Sequence, residues 1–403
     1  MNFQLTEQQK MVKTNVHDFL EKEIVPFVDE RDIQGPLSHA EAVAYRKKCE
    51  PIGLFTNDIG GDQEEMDPIC SAIMFEESFG AWPGLSACIG ASGLASMLTL
   101  SPGLASDSLR ARSEAGELIG CYALTEPNAG SDNRAMQTKA VLDGDHYVIN
   151  GTKTWITNAT IADVVLLMAK DENGMIQQFL VDKEESPFES RELPKLGWHA
   201  CPTGDLYFDN CRIPKKNNLG NMMIEMMIGG QAGDGDQMPA SFAAMKSLFA
   251  LGPTAWLFLP RANFGAAAAG ICQRSIDDSI KFARERVQFG KPIAQHQLIQ
   301  NMICEMVFKT ESLRLLSYKA IEGLFSSDQQ SLGLASLVKS LGSEVAVRVT
   351  YLGIQIHGSV GISQELRMER YFRDAMVLTM PDGAVGTNKL ISGKQILGMQ
   401  AYC

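Results

Sequence analysis

The sequence predicts an α+β protein in which a β-domain separates two helical regions. Apolar residues recur at helical spacing through about the first hundred residues and again from residue 261 onward. Between residues 119 and 215 the pattern changes to short apolar or alternating runs that turn residues bound. We therefore expect an N-terminal all-α domain over 1–118, a middle β-domain over 119–215 and a C-terminal helical domain over 216–403.

Composition and charge limit the classes of function. A chain of 403 residues can bury a large core, and a net charge of −12 argues against a nucleic-acid surface or binding to anionic membranes. The nine cysteines contain no CxxC pair and the histidines no metal-ligand spacing, so we expect reduced thiols, no metal site and a cytoplasmic location. We see no signal peptide and no uncharged stretch of transmembrane length.

The N-terminal domain begins with two predicted helices. Thr6 is a suitable first cap, and the helix after it places Met11 and Leu20 on one apolar face until Pro26 breaks it. A second helix covers about residues 39–53, and its end at Gly53 fits a helix terminator. These helices predict ordinary core packing and no chemistry.

Two further helices are predicted before the β-domain, beyond a loop at Gly60–Asp62. The first covers Met66 to Gly80, with Glu76 and Glu77 expected on its exposed side. The second covers residues 85–98 and is rich in Gly, Ala and Ser. Such small residues permit either close helix packing or the lining of a ligand pocket, and the sequence leaves both readings open.

The most informative stretch of the β-domain consists of two strand ends joined by a hairpin. Its halves read Tyr122-Ala-Leu-Thr-Glu-Pro-Asn-Ala-Gly-Ser-Asp132 and Gly151-Thr-Lys-Thr-Trp-Ile-Thr-Asn158, and the hairpin over 140–149 turns at Asp143-Gly144. The hairpin should bring Trp155 and Thr157 back beside Thr125. An indole, two hydroxyls and spare amides would suit a flat heterocycle such as an isoalloxazine ring, although a sheet with an ordinary edge loop would look similar.

The other strands and one long segment complete the middle of the chain. Short β runs are predicted at residues 162–168, 177–182 and 204–209. The segment at about 221–256 then interrupts the pattern with Met-rich flanks and a Gly-rich centre. Long irregular segments are often functional, so this one predicts either an adaptable apolar wall or a surface decoration.

The stretch from Tyr122 to Asn158 resembles the flavin-binding β-domain of the acyl-CoA dehydrogenase family, and the resemblance extends over nearly the whole chain. Ala283-Arg-Glu-Arg-Val-Gln-Phe-Gly-Lys-Pro292 resembles the family's ERxxFGKP motif, and we expect Gly290 and Pro292 to end a helix there. Gly353-Ile-Gln-Ile-His-Gly-Ser-Val-Gly361 resembles its QIxGGxG segment, although such glycines could also simply cap a helix. The segment between the β-domain and Arg261 is longer than the family leads us to expect.

The resemblance implies a C-terminal four-helix bundle, with FAD between the bundle and the β-domain. The FAD-binding residues that it implies are Tyr122, Leu124, Thr125, Gly130, Ser131, Trp155, Thr157, Arg286, Gln288, Phe289, Gln355, Gly358 and Ser359. The substrate-binding residues that it implies are Ser131, Arg261 and Gly383. It also implies that part of each FAD site comes from a partner subunit, so we expect a homotetramer built from two dimers, with an electron-transfer flavoprotein as electron acceptor.

A departure from the family pattern occurs at its catalytic position. A match without gaps from Arg373 places Asp382 where the family has a glutamate base, and Pro381 replaces its usual tyrosine. Ala384 and Gly386 likewise replace a threonine and a glutamine. Asp382 is thus the predicted catalytic base, although Pro-Asp-Gly is also a good structural turn.

The chemistry explains why a carboxylate belongs at this position. Desaturation of an acyl thioester removes an α proton and a β hydride, and a buried carboxylate of raised pKa is a suitable base to accept the proton. Flavin accepts the hydride, and the family stabilises the thioester oxygen with a ribityl hydroxyl and the backbone N–H of the base, here Asp382. Aspartate reaches about 1.5 Å less far than glutamate, so the backbone or the substrate must lie closer.

We therefore predict an FAD-dependent acyl-CoA dehydrogenase that forms a 2,3-enoyl-CoA. Family members with aspartate at the base position include some that act on cyclic acyl thioesters and the nitroalkane oxidases, so a bulky branched or cyclic acyl-CoA is favoured. A family subset carries its glutamate at the position of Pro260, which rules out that placement here. The stretch Pro83–Gly93 lacks the arginine used for dicarboxylic substrates. A nitroalkane-oxidase-like enzyme and a catalytically silent acyl-CoA-binding flavoprotein subunit remain the alternatives.

Overall fold

The computed structural model describes residues 4–54, 67–99, 106–219, 257–326, 329–399 and 401. The predicted loop at Gly60–Asp62 and the predicted insertion at 221–256 lie outside these residues. The N-terminal part of the described chain is helical, as predicted. Its helices are α1 (Glu7–Glu23), α2 (Val25–Asp32), α3 (His39–Cys49), α4 (Pro68–Ala81), α5 (Pro83–Thr99) and α6 (Asp107–Glu114).

The first helix begins as predicted but ends for a different reason. Thr6 and Gln9 form a reciprocal capping box that satisfies two N-terminal amides of α1. Pro26 does not interrupt α1, because the break lies at Ile24 and the proline occupies the first turn of α2. Met11 was expected in the core but is 63% exposed, so that part of the predicted apolar face was wrong.

Helix α4 corrects the prediction that Glu76 and Glu77 are exposed, since both are buried. Glu76 packs against helices from the far end of the chain and Glu77 against α1, and local spacing shows neither contact. A Cβ built on Gly270 would lie 1.9 Å from the Glu76 carbonyl oxygen and 3.0 Å from the Gly80 nitrogen. The backbones therefore meet directly, and Gly270 is required for that approach.

The middle of the chain forms one seven-stranded sheet. Its strand order is β1-β4-β2-β3-β7-β6, and β5 pairs with the other side of β4. Pairing is parallel for β1 with β4 and for β2 with β4, and antiparallel elsewhere. The strands are β1 (Gly120–Ala123), β2 (Lys139–Asp143), β3 (His146–Thr157), β4 (Val164–Lys170), β5 (Ile176–Asp182), β6 (Glu189–Glu192) and β7 (Thr203–Pro214).

The predicted hairpin is present between β2 and β3. Asp143 pairs with His146, so the turn residues are Gly144 and Asp145, one position later than predicted. Gly144 has φ 63°, which glycine adopts at little cost. Strand β6 was not predicted, because its sequence Glu-Ser-Arg-Glu carries no apolar alternation.

The C-terminal part of the described chain is again helical. It contains α7 (Phe258–Glu285), α8 (Gln297–Phe325), α9 (Gln329–His357), α10 (Met368–Val377) and α11 (Val385–Leu397). The predicted helix end at Gly290 and Pro292 was wrong, because α7 already stops at Glu285. Val287–Gln288 (β8) then pairs with Lys291–Pro292 (β9) in a two-stranded hairpin. None of the helices in the described ranges is both long and apolar enough to cross a membrane.

Candidate functional site

Asp382 lies in the turn that joins α10 to α11. It adopts φ 53° and Gly383 adopts φ 99°, so two successive residues have left-handed backbone. Aspartate tolerates this region better than most residues, and glycine adopts it freely. A Cβ on Gly383 would lie 2.9 Å from Asn388 Nδ2, which further restricts that position to glycine. The turn predicted from Pro-Asp-Gly is therefore present.

Two buried side chains hold the backbone carbonyl of Asp382. Arg261 Nε, near the start of α7, donates to the Asp382 oxygen at 3.0 Å, and Asn388 Nδ2 on α11 donates to it at 3.3 Å. Asn388 Nδ2 also donates to Gly383 O at 2.7 Å. Within the described ranges, no oxygen accepts a hydrogen bond from the Asp382 N–H. The structure thus brings the predicted residues Arg261, Asp382 and Gly383 together.

Sequence reasoning missed a third side chain beneath this turn. Lys339 on α9 is fully buried, and its Nζ donates to Gly383 O at 2.6 Å and to Thr379 O at 3.2 Å. The available signal was a single lysine within a helical stretch of small and apolar residues, Ala335 to Leu341. Asn388 was missed as well, because nothing local distinguishes it from a surface asparagine.

The carboxyl group of Asp382 is held in an environment that makes it a better base than an exposed aspartate. The residue is half-buried, and burial raises the pKa of its carboxyl to about 6, while the charges of Arg261 and Lys339 oppose the rise. A base whose pKa approaches the working pH combines a useful ionised fraction with useful proton affinity.

The β-domain half of the candidate site forms where β3 ends. Thr154 N donates to Thr125 O at 2.9 Å, which places the end of β3 beside the loop after β1, as predicted. Trp155 has φ 59° and is 58% exposed, although its neighbours Thr154 and Ile156 are buried. Thr157 is half-buried on the same strand. The indole is therefore presented outward beside two threonines.

A buried ion pair fixes the loop after β1. Lys153 Nζ lies 2.8 Å from Glu126 Oε1 and also donates to Leu124 O at 3.0 Å. The Glu126 carboxylate accepts two further bonds, from Gln137 N at 2.6 Å and Thr138 N at 3.0 Å. Burial lowers the pKa of Lys153 to about 8, although the hydrogen bond and charge of Glu126 oppose that change. This pair was not predicted.

The loop after β1 also touches the Asp382 side of the molecule. Thr387 Oγ1, in the first turn of α11, donates to Ser131 Oγ at 3.2 Å. Ser131 and Gly130 are exposed, while Tyr122 and Leu124 are half-buried. One contiguous region thus contains the predicted residues of the β-domain, Arg261 and the Asp382 turn.

The remaining predicted FAD residues lie elsewhere. Arg286, Gln288 and Phe289 follow the end of α7, and the Phe282 ring stacks on His357 with centroids 4.2 Å apart, which places the exposed residues Gln355, Gly358 and Ser359 at the same end. Gly358 has φ 64° directly after α9, as expected of a helix cap. Since a helix rises 1.5 Å per residue, about 37 Å of α7 separates Arg261 from Arg286. One chain does not bring the two sets together.

Comparison with known proteins decides the family. Profiles described as the N-terminal, middle and C-terminal domains of acyl-CoA dehydrogenase match residues 6–105, 121–211 and 255–397. The chain belongs to the acyl-CoA dehydrogenase family. A glutaryl-CoA dehydrogenase of Desulfococcus multivorans is 30% identical over 99% of each chain. A cyclohex-1-ene-1-carbonyl-CoA dehydrogenase of Syntrophus aciditrophicus (strain SB) is 31% identical over 98% of this chain and 91% of its own.

A solved acyl-CoA dehydrogenase complexed with FAD, from Bacillus anthracis, superposes with a TM-score of 0.80 at 26% identity, over 98% of this chain and 67% of that one. The predicted fold class, the oxidoreductase class and the cofactor FAD are thereby confirmed. Acyl-CoA dehydrogenases bind a flat isoalloxazine ring, and the outward-facing indole of Trp155 between buried neighbours offers a surface for it. Thr157 lies two residues further along β3, and the backbone of Thr125 is bonded to that of Thr154. Two residues with hydroxyl groups thus come from the same two segments, and the residues present fit the cofactor.

Proposed function

We propose that this acyl-CoA dehydrogenase removes the α proton of a bulky branched or cyclic acyl-CoA with Asp382 and forms a 2,3-enoyl-CoA. The observation that carries the proposal is the Asp382 turn. Its carbonyl is held by Arg261 and Asn388, and burial raises the pKa of its carboxyl. The helix that follows contacts the loop after β1 through Thr387. A structural turn alone would need neither the buried arginine nor the half-buried carboxyl.

The turn supplies two functions through one residue. The Asp382 carboxylate accepts the α proton, while its N–H, which has no acceptor among the described residues, is available to the thioester oxygen as negative charge develops there. When bound, FAD supplies the acceptor for the β hydride. Arg261 and Asn388 fix the carbonyl of the same residue, and therefore orient its N–H and carboxylate together. A misplacement of about 1 Å in such a site can cost roughly a hundredfold in rate.

Helix α5 favours an uncharged acyl group. Its sequence from Pro83 to Thr99 contains no Lys, Arg or His, so it offers no partner for a second substrate carboxylate such as that of a glutaryl group. Asn158, directly after Thr157, donates to Cys88 O at 2.6 Å, which joins α5 to the FAD side of the site. An uncharged helix of small residues suits an apolar ring, as in the cyclohex-1-ene-1-carbonyl relative, better than a charged chain.

The assembly that we propose is a homotetramer of two dimers, with an electron-transfer flavoprotein as electron acceptor. The long separation between Arg261 and Arg286 supports the sharing of each FAD site between two chains. An FAD that lay beside the Asp382 turn, which Arg261 holds, would have to run along most of α7 to meet Arg286 of the same chain. If two chains pack together, Arg286, Gln288, Phe289, Gln355, Gly358 and Ser359 of one can complete the FAD site of the other. Closed symmetric assemblies are the common way to share a site between copies.

The decisive experiment mixes FAD-loaded protein with linear, branched and alicyclic acyl-CoAs under anaerobic conditions and follows the flavin band by stopped-flow. We expect alicyclic or branched esters to reduce the flavin fastest. Asp382→Asn should bind substrate but reduce flavin about 10²–10⁴-fold more slowly, because asparagine has the shape of aspartate but cannot act as the base. Asp209→Asn, at an exposed site on β7, is the matched control and should behave like the parent.

The alternatives give different results in the same assay. Asp382→Glu should still reduce flavin, with a preference shifted towards linear acyl chains, because the added methylene enters a site adapted to the shorter side chain. Flavin reduction by Asp382→Asn at the parent rate would place the base elsewhere. Oxygen consumption with nitroethane, together with no response to CoA esters, would identify a nitroalkane oxidase. Binding of acyl-CoA without any bleaching would identify a silent subunit.

A further inference from the structure

Lys339 is a fully buried cation without a direct carboxylate partner among the described residues. Its ammonium group donates to two backbone oxygens, Thr379 O at 3.2 Å and Gly383 O at 2.6 Å. Burying a charge costs free energy unless the charge is compensated, and two carbonyl dipoles compensate an ammonium only in part. A neutral side chain could pack in α9 at a lower cost, so the charge itself calls for an explanation.

The charged groups around Asp382 indicate what the charge of Lys339 acts on. From α7 the charged group facing it is Arg261, and from α9 it is Lys339. The groups that approach from α11 are uncharged, since Asn388 binds the carbonyl and Thr387 binds Ser131. Two buried cations therefore act on one carboxyl, and in a poorly solvated site such interactions persist beyond direct contact.

We propose that Lys339 is a positioning residue for the reaction, which fixes the turn from Thr379 to Gly383 and keeps Asp382 ionised during turnover. This inference rests on the proposed function, because it assumes that Asp382 is the base. The two hydrogen bonds bracket the turn from both sides, so they set where the short aspartate side chain begins. The positive charge counteracts the burial that would otherwise keep the carboxyl protonated.

The titration of Lys339 itself is compatible with this role. Burial lowers the pKa of its ammonium to about 8, and the charge of Asp382 opposes that change. The side chain is therefore still cationic at neutral pH, where the carboxylate is needed. Arg261 cannot replace it, because its guanidinium binds Asp382 O and donates to neither Thr379 O nor Gly383 O.

The test measures flavin reduction by Lys339→Met holoenzyme as a function of pH, with the best acyl-CoA at saturation. Methionine is unbranched and only one atom shorter than lysine but carries no charge, so the acid limb of the profile should move up by about one pH unit or more. Lys389→Met removes a half-exposed lysine that pairs with Glu344 and should leave the acid limb in place. Asn388→Ala removes hydrogen bonds to the same turn without changing charge, so it should slow reduction at an unmoved acid limb.

A second measurement follows the carboxyl without turnover. The infrared band of protonated Asp382, identified by difference against Asp382→Asn, should persist to higher pH in Lys339→Met than in the parent protein. If Lys339→Met does not fold, Lys339→Gln carries the same test, because it is neutral and still donates to one carbonyl. An unmoved acid limb and an unmoved infrared titration in a folded neutral variant overturn the inference. Parent-rate flavin reduction by Asp382→Asn instead overturns the proposed function, so the two failures are distinguishable.

Discussion

Arg314 Nε lies 2.8 Å from Glu76 Oε1, and this buried ion pair joins α8 to α4 across 238 positions of sequence. Tyr318 Oη donates to the other carboxylate oxygen at 2.8 Å, and Arg314 Nη2 donates to Gln273 at 2.9 Å. The carboxylate thus has bonded partners on both oxygens. The network connects the N-terminal helices to the bundle that carries Arg261.

The first prediction is that Arg314→Met destabilises the protein by about 3–5 kcal/mol, because the Glu76 carboxylate is left buried and uncompensated. Urea unfolding at matched protein concentration measures it. Arg348→Met is the control, because Arg348 pairs with Glu305 at the surface, and its loss should cost no more than about 1 kcal/mol. Equal decreases in the free energy of unfolding of the two variants would show that the buried ion pair stabilises the protein no more than the surface pair does.

The second prediction concerns the pH dependence of the parent enzyme. The pKa of Asp382 is raised to about 6, so the protonated fraction, which cannot accept a proton, grows as the pH falls through that value. Flavin reduction at saturating substrate should therefore be high above about pH 6 and decrease tenfold per pH unit well below it. Stopped-flow measurements in buffers of constant ionic strength test this. A midpoint near the ordinary aspartate pKa of about 3.9 would contradict the burial of the carboxyl.

The third prediction concerns the ion pair of Lys153 and Glu126, which fixes the loop after β1. Lys153→Met leaves the carboxylate without its cation and frees Leu124 O, so the loop should lose its fixed position. We expect FAD to bind at least about tenfold more weakly, equivalent to about 1.4 kcal/mol. Fluorescence titration of the apoprotein measures the Kd. Lys216→Met, at an exposed site, should keep the parent Kd, and an unchanged Kd in Lys153→Met would remove the pair from cofactor binding.

Local sequence patterns predicted the elements whose determinants are local. The helix start at Thr6, the β2–β3 hairpin and the turn at Pro381-Asp-Gly each depend on a few adjacent residues. All three are present, with the hairpin turn one position later than predicted. Glu76 shows the limit of such patterns. Two adjacent glutamates in a helix indicate a solvent-exposed side, and only the distant Arg314 explains why Glu76 is buried.

The candidate site shows the same division. Asp382 was predicted as the base because the family resemblance aligns the chain there without a gap, and that role stays a prediction. Lys339 and Asn388 were missed because they donate to backbone oxygens. Every residue has a backbone oxygen, so the sequence of the turn does not indicate which side chains bind it. Lys339 also lies 40 and 44 positions from its two acceptors. The domain boundaries at 118 and 215 and the role of the 221–256 insertion remain predictions.

The placement of Arg261 and Arg286 at opposite ends of α7 has a genetic consequence. If each FAD site takes its two halves from different chains, a subunit carrying Asp382→Asn and a subunit carrying Arg286→Ala are defective in different halves. Within a mixed pair, one site inherits both lesions and the other inherits neither. Two inactive alleles expressed together would therefore restore part of the activity, and the recovered fraction would count the intact sites formed by random mixing.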